Sequence, residues 1–244
     1  MKNLLYIFVA CFFSFAFVNC GKIKKTDAEI EREQWFAGFS DSVDYYKTRS
    51  QQIESNLEIL NSNISNMIDE FELIKNPREV SGYYLLKGWS KKIPFTSTAI
   101  YARINESEIL ELIATLAGAT FNQIEVNNGI DDCMSEVVPY DQAFNFRHDK
   151  FNSVYFSGGK ADTIAEFIAA HAPEKINLVF FENSKKKPFV IPQDEKDMIA
   201  KTWDLYSAQK QAHVLQKELW LCSRKIETFR RMMDEENIRK SNHK

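Results

Sequence analysis

The chain has 244 residues, a formal net charge of −3, 8 glycines and 6 prolines. That charge excludes the basic excess a nucleic-acid partner needs. Scarce glycine and proline exclude low-complexity segments and favour long regular elements, with room for one or two domains.

Lys2 precedes an apolar run from Leu4 to Val18, then Asn19, Cys20 and Gly21, with Lys22, Lys24 and Lys25 beyond. A membrane-crossing helix needs about 20 apolar residues, and this run is shorter. The end of the run, Phe17-Val18-Asn19-Cys20, resembles the lipobox of bacterial lipoprotein signal peptides. Phenylalanine stands where leucine is usual, and asparagine where a small residue is usual. The resemblance implies that residues 1–19 are a removable signal peptide, that Cys20 carries lipid, and that residues 20–25 form a tether. Gly21 in place of aspartate resembles lipoproteins sorted to the outer membrane and facing the periplasm.

A helix is expected over 26–77. Thr26 or Asp27 can cap its start, and Glu29, Glu31 and Glu33 suit the positive end of its dipole. Its seam reads Phe36, Phe39, Val43, Tyr46, Ser50, Ile53, Leu57, Leu60, Ile64, Met67, Phe71, Ile74. Ser50 alone is polar, and Pro77 stops the run. Such a sustained alternation of three and four is the signature of a helix paired in a coiled coil. At about 1.5 Å per residue, roughly 48 residues would span about 70 Å.

The partner is in the same chain. Residues 193–240 repeat the pattern through Met198, Lys201, Leu205, Ala208, Ala212, Leu215, Leu219, Cys222, Ile226, Phe229 and Met233. The expectation is an antiparallel two-helix coiled-coil stalk with an α+β head inserted over 78–192. Matching the seams puts Met67 opposite Leu205, Leu57 opposite Leu215 and Ile53 opposite Leu219. It also puts Ser50 opposite Cys222, Tyr46 opposite Ile226 and Phe39 opposite Met233. Apolar residues beside the seams, Ile59, Ile68, Ile199, Trp203, Tyr206, Trp220 and Leu221, leave room for a homodimer.

The head reads as two βαββ units in tandem, over about 97–139 and 152–192. In the first, a strand Thr98–Ile104 precedes a helix Glu106–Ala117 capped by Asn105 and stopped by Gly118. Strands Ala119–Val126 and Cys133–Val138 flank an Asn127-Asn128-Gly129 turn. In the second, a strand Asn152–Phe156 precedes a helix Ala161–His171. Strands Lys175–Glu182 and Phe189–Ile191 then flank a turn, Asn183–Lys187, with Lys185, Lys186 and Lys187 at its tip. Two such units are expected to form one sheet covered by two helices. Tyr83-Tyr84-Leu85-Leu86 can lead in as a further strand.

Chemical motifs are few. No HExxH or CxxC is present, so no metal site or cofactor is expected. Cys133 and Cys222 stand too far apart in the stalk arrangement to bridge. Asp131, Asp132, Cys133 and His148 are the one set of head residues that loops could gather into a site. Gly158-Gly159-Lys160 before a helix lacks the full glycine-rich phosphate-binding pattern, and its glycines suit a strand-to-helix turn. The reading is a non-catalytic, lipid-anchored cell-envelope protein whose head meets a protein or cell-wall partner. The alternative is a small-molecule-binding or enzymatic head on a spacer stalk.

Overall fold

The computed structural model describes residues 27–75, 81–93, 97–141, 145–148, 150–182 and 185–242. The fold is mixed α+β: two long helices packed strongly together, two antiparallel sheets and one further helix. The chain groups into two compact units, Thr48–Ser223 and Met1–Lys47 with Arg224–Lys244.

In the second of these units the described residues are helical, from α1 (Asp27–Ile68) and α3 (Gln193–Asn242). Phe229 packs edge-on against Phe39, with ring centroids 5.4 Å apart, and stacks on Tyr46 at 6.0 Å. The expected register assigns Phe39 and Tyr46 to Met233 and Ile226, the seam neighbours of Phe229, so the observed contacts interleave with it. Arg32 donates to Glu236 at 2.8 Å.

Within Thr48–Ser223 the same helices continue. Ile53, Leu57, Leu205, Ala212 and Cys222 are buried, and Ser50, Leu60, Ile64, Met67, Leu215 and Leu219 are half-buried. Most residues between them on α1 are exposed, so burial follows the apolar period. Lys201, the polar member of the second seam, is exposed and paired with Glu70. The α1 helix is shorter than expected. It ends at Ile68, and Phe71–Ile74 forms β1, paired with β2 (Tyr83–Leu86). A turn in which the Glu70 amide donates to the Met67 carbonyl separates the two. Phe71 is buried either way, so the apolar period runs on through a change of structure that it cannot register. The expected stop at Pro77 lies outside the described residues.

The first sheet adds β3 (Ala99–Asn105), β4 (Leu110–Ala117), β7 (Asn145–His148) and β8 (Phe151–Ser157), in the order β1-β2-β3-β4-β8-β7. The second has the order β10-β9-β5-β6, from β5 (Gln123–Asn127), β6 (Asp132–Met134), β9 (Asn177–Glu182) and β10 (Lys185–Val190). Phe121, in the connector between β4 and β5, stacks on Phe156 of β8 at 6.5 Å. It meets Phe180 of β9 edge-on at 4.8 Å, joining the sheets in one core. The helix α2 (Gly159–Ala170) lies against β4 and β8 of one sheet and β5 and β6 of the other.

These elements correct the expected tandem repeat. The second unit keeps strand, helix, strand, strand, but the first is four strands. Glu106–Ala117, expected as a helix, is a turn and the strand β4. The Asn105 side chain does accept from Ser107 at 2.9 Å, as a cap would, and also from Ile109 at 3.0 Å, one residue beyond a cap's reach. It closes a hairpin with them, aided by Glu108 at φ 57°. The following residues are buried on both faces, from Leu112 to Leu116. A central strand covered on both sides is apolar throughout and shows no alternation, so it satisfies a helical period equally well. The result is two sheets sharing one helix, not one sheet under two. Lys185, Lys186 and Lys187 are also not a turn tip: they open β10, paired with Glu182, Phe181 and Phe180. Charged lysines suit this edge strand because they disfavour pairing with another chain.

Candidate functional site

The expected site residues lie on edge strands of two different sheets. Asp131 and Asp132 are exposed on the β5–β6 hairpin, and Cys133 is half-buried on β6, an edge of the second sheet. His148 lies on β7, an edge of the first sheet, and its side chain is outside the described residues. Burial, followed by the Asp132 charge, raises the Cys133 thiol above its ordinary range, while Lys160 opposes them more weakly. That is the wrong direction for a nucleophilic thiolate. Cys133 and Cys222 are both free. Cys20 lies outside the described residues.

What the hairpin does contact is the end of α2. The Asn128 side chain accepts from the Ile130 and Asp131 amides and donates to Glu174 at 2.9 Å. His171 Nδ1 lies 3.2 Å from the same carboxylate. The Asn128 bond, then the His171 bond, lower the Glu174 carboxyl below its usual range.

At the other end of α2 the glycine pair is conformational. Gly158 has φ 87°, a region closed to most L side chains, and no side chain caps the helix there. One turn on, Asp162 is buried where α2 meets α3. It accepts from the Tyr206 hydroxyl at 3.0 Å and from Lys210 at 2.8 Å, both at Oδ2. Burial first, then the Asp162 bond, raises the Tyr206 hydroxyl, and the Asp162 bond also raises Lys210. The cluster is an ion pair between the two helices, buried at Asp162 and open to water at Lys210.

A second buried carboxylate sits at the start of α3. Pairing of β2 with β3 covers only Tyr83 with Asn105 and Tyr84 with Ile104. Among the described residues no strand continues along this side of β3. The first turn of α3 takes that place, and Glu195 accepts from the Ile100 amide at 2.9 Å. Glu195 is 7% exposed. Desolvation pushes its carboxyl up to about 7, against the downward pull of the Ile100 amide. Asp194 adds to the rise, and Lys92 opposes it weakly because it is bound to Asp194 at 2.7 Å. A helix N-terminus favours an anion by about 0.3–1 kcal/mol, too little to offset loss of water. Neighbouring bonds hold the turn in place. Lys196 donates to the Glu174 carbonyl, and Gln193 donates to the Ala172 carbonyl at 3.1 Å.

Sequence reasoning missed both carboxylates. Asp162 and Glu195 each read as ordinary acidic residues in a first helical turn. Their partners lie at separations of 44 and 95 residues, where no local pattern reaches. Among the described residues no group of His, Cys, Asp and Glu could hold a metal ion, and no helix is long and apolar enough to cross a membrane. Comparison with family models, with curated proteins and with solved structures found no match.

Proposed function

We propose that this is a non-catalytic, lipid-anchored cell-envelope protein. Lipid on Cys20 holds it to the outer membrane, the helix pair serves as a coiled-coil stalk, and an envelope partner meets the α+β region together with the stalk surface beside the seam. The reading is carried by the helix pair. Its apolar seam side chains are buried or half-buried, while large apolar side chains beside the seam, Ile59, Val214, Trp220 and Leu221, are exposed. Isolated exposed apolar residues are ordinary, but several on one helix pair favour a protein contact. The lipobox-like Phe17-Val18-Asn19-Cys20 supports the anchor. The buried Asp162 and Glu195 support a structural role for the main polar clusters, since both are occupied in holding helices in place.

Two measurements test the proposal. Labelling with a radioactive or clickable fatty acid should mark the wild-type protein and leave Cys20→Ala unmarked; an unlabelled wild type removes the anchor. Envelope cross-linking should retain a partner that Trp220→Ala with Leu221→Ala loses. Equal capture by wild type and variant places the contact elsewhere.

A further inference from the structure

We infer that the first turn of α3 is a proton-dependent latch on the open edge of β3. The geometry begins with the sheet. Ahead of Ile104 no described strand lies beside β3 on this side, so the Ile100 amide needs another partner. The Glu195 carboxyl supplies one to Ile100 at 2.9 Å. It does so from a buried position, with Met198 and Ile199 fully enclosed one turn later.

The charged groups around Glu195 determine which form fits. From the segment before β3 comes Lys92, already paired with Asp194. From α3 itself come Asp194, whose charge opposes ionisation, and Lys196, whose ammonium is bound to the Glu174 carbonyl. From β3 comes one backbone amide. None of these groups supplies a free cation to a buried carboxylate. The neutral acid therefore suits the closed turn, and the carboxylate suits a turn that has lifted into water.

The sign follows from linkage. Closed, the group titrates at about 7, against 4.5 when released. Between those values the closed state holds a proton that the open state has lost. Rising pH therefore favours opening through that window, and the effect is complete above it. Lifting the turn uncovers the amide of Ile100 and the edge of β3 beside it, a backbone row of the kind that takes an added strand.

Hydrogen exchange of the full-length protein at pH 5.5 and pH 8, corrected for the intrinsic rate, reads the latch at Ile100, with Ile113 of the central strand β4 as reference. Protection at Ile100 is expected to fall on the order of tenfold or more between the two conditions, and to stay below that of Ile113, which exchanges by unfolding of the whole domain. In Glu195→Gln, which keeps the acceptor and cannot ionise, the fall should vanish. Constant protection at Ile100 in the wild type overturns the inference, as does an equal fall in the variant. If the variant does not fold, as judged by circular dichroism, the wild-type series at Ile100 against Ile113 decides alone.

Discussion

Two buried carboxylates separate the roles a charge can take inside this protein. Asp162 is matched by a hydroxyl and an ammonium, so its removal should hurt. Asp162→Ala leaves the Tyr206 hydroxyl without this acceptor, and a loss of about 1–3 kcal/mol is expected in urea unfolding. Lys210→Ala, at a more exposed side chain, should cost less than about 1 kcal/mol. Glu195 has a single amide partner and a desolvated carboxyl, so its charge opposes the fold. Its folded pKa lies above its unfolded one, so its contribution to stability is full below about 4.5 and is lost as pH rises to about 7. Urea midpoints measured from pH 4.5 to pH 8 should decline more steeply in the wild type than in Glu195→Gln. Parallel curves would assign the decline to other groups. Neither role was legible beforehand, because burial and partners decide it, and both come from distant segments.

At the scale of elements, the helices were the most legible part. Their apolar period runs over many turns, and one face must leave water for the helix to persist. Ile53 is fully buried at the centre of that face, and Glu54 beside it is exposed. Ile53→Ala is expected to cost about 2–5 kcal/mol, against less than about 0.5 for Glu54→Ala, both read by thermal or urea unfolding. Similar costs for the two would deny the seam its packing role. The first head unit was the least legible element. From Leu112 to Leu116 a strand enclosed on both faces carries the same residues as a buried helix. Asn105 accepts from the amide two residues on in this hairpin, as it would at a helix start. The second unit was read correctly as helical because Ala161, Ile164, Ala165 and Ile168 mark one side of α2 only.

For the whole molecule, the hydrophobic core does not stop where the long helices begin. Met198, Ile199, Leu205 and Tyr206 belong to the same cluster as Ile100, Leu112, Ile164 and Phe180, with Ile64 and Met67 packed against it. A fragment 48–223 is therefore expected to unfold cooperatively in urea, whereas 78–192, stripped of these side chains, should not. Equal cooperativity in the two would make the region between the helices self-sufficient. The sequence by itself determined the two long helices, α2 and most strands after Phe151. In each, the pattern lies within one element and reports which face leaves water. The tertiary structure alone decided that β4 is a strand, that two sheets share α2, and that Glu195 closes the edge of β3. Those outcomes depend on what covers a segment's second face and on which distant group meets a backbone amide, and a local period carries neither.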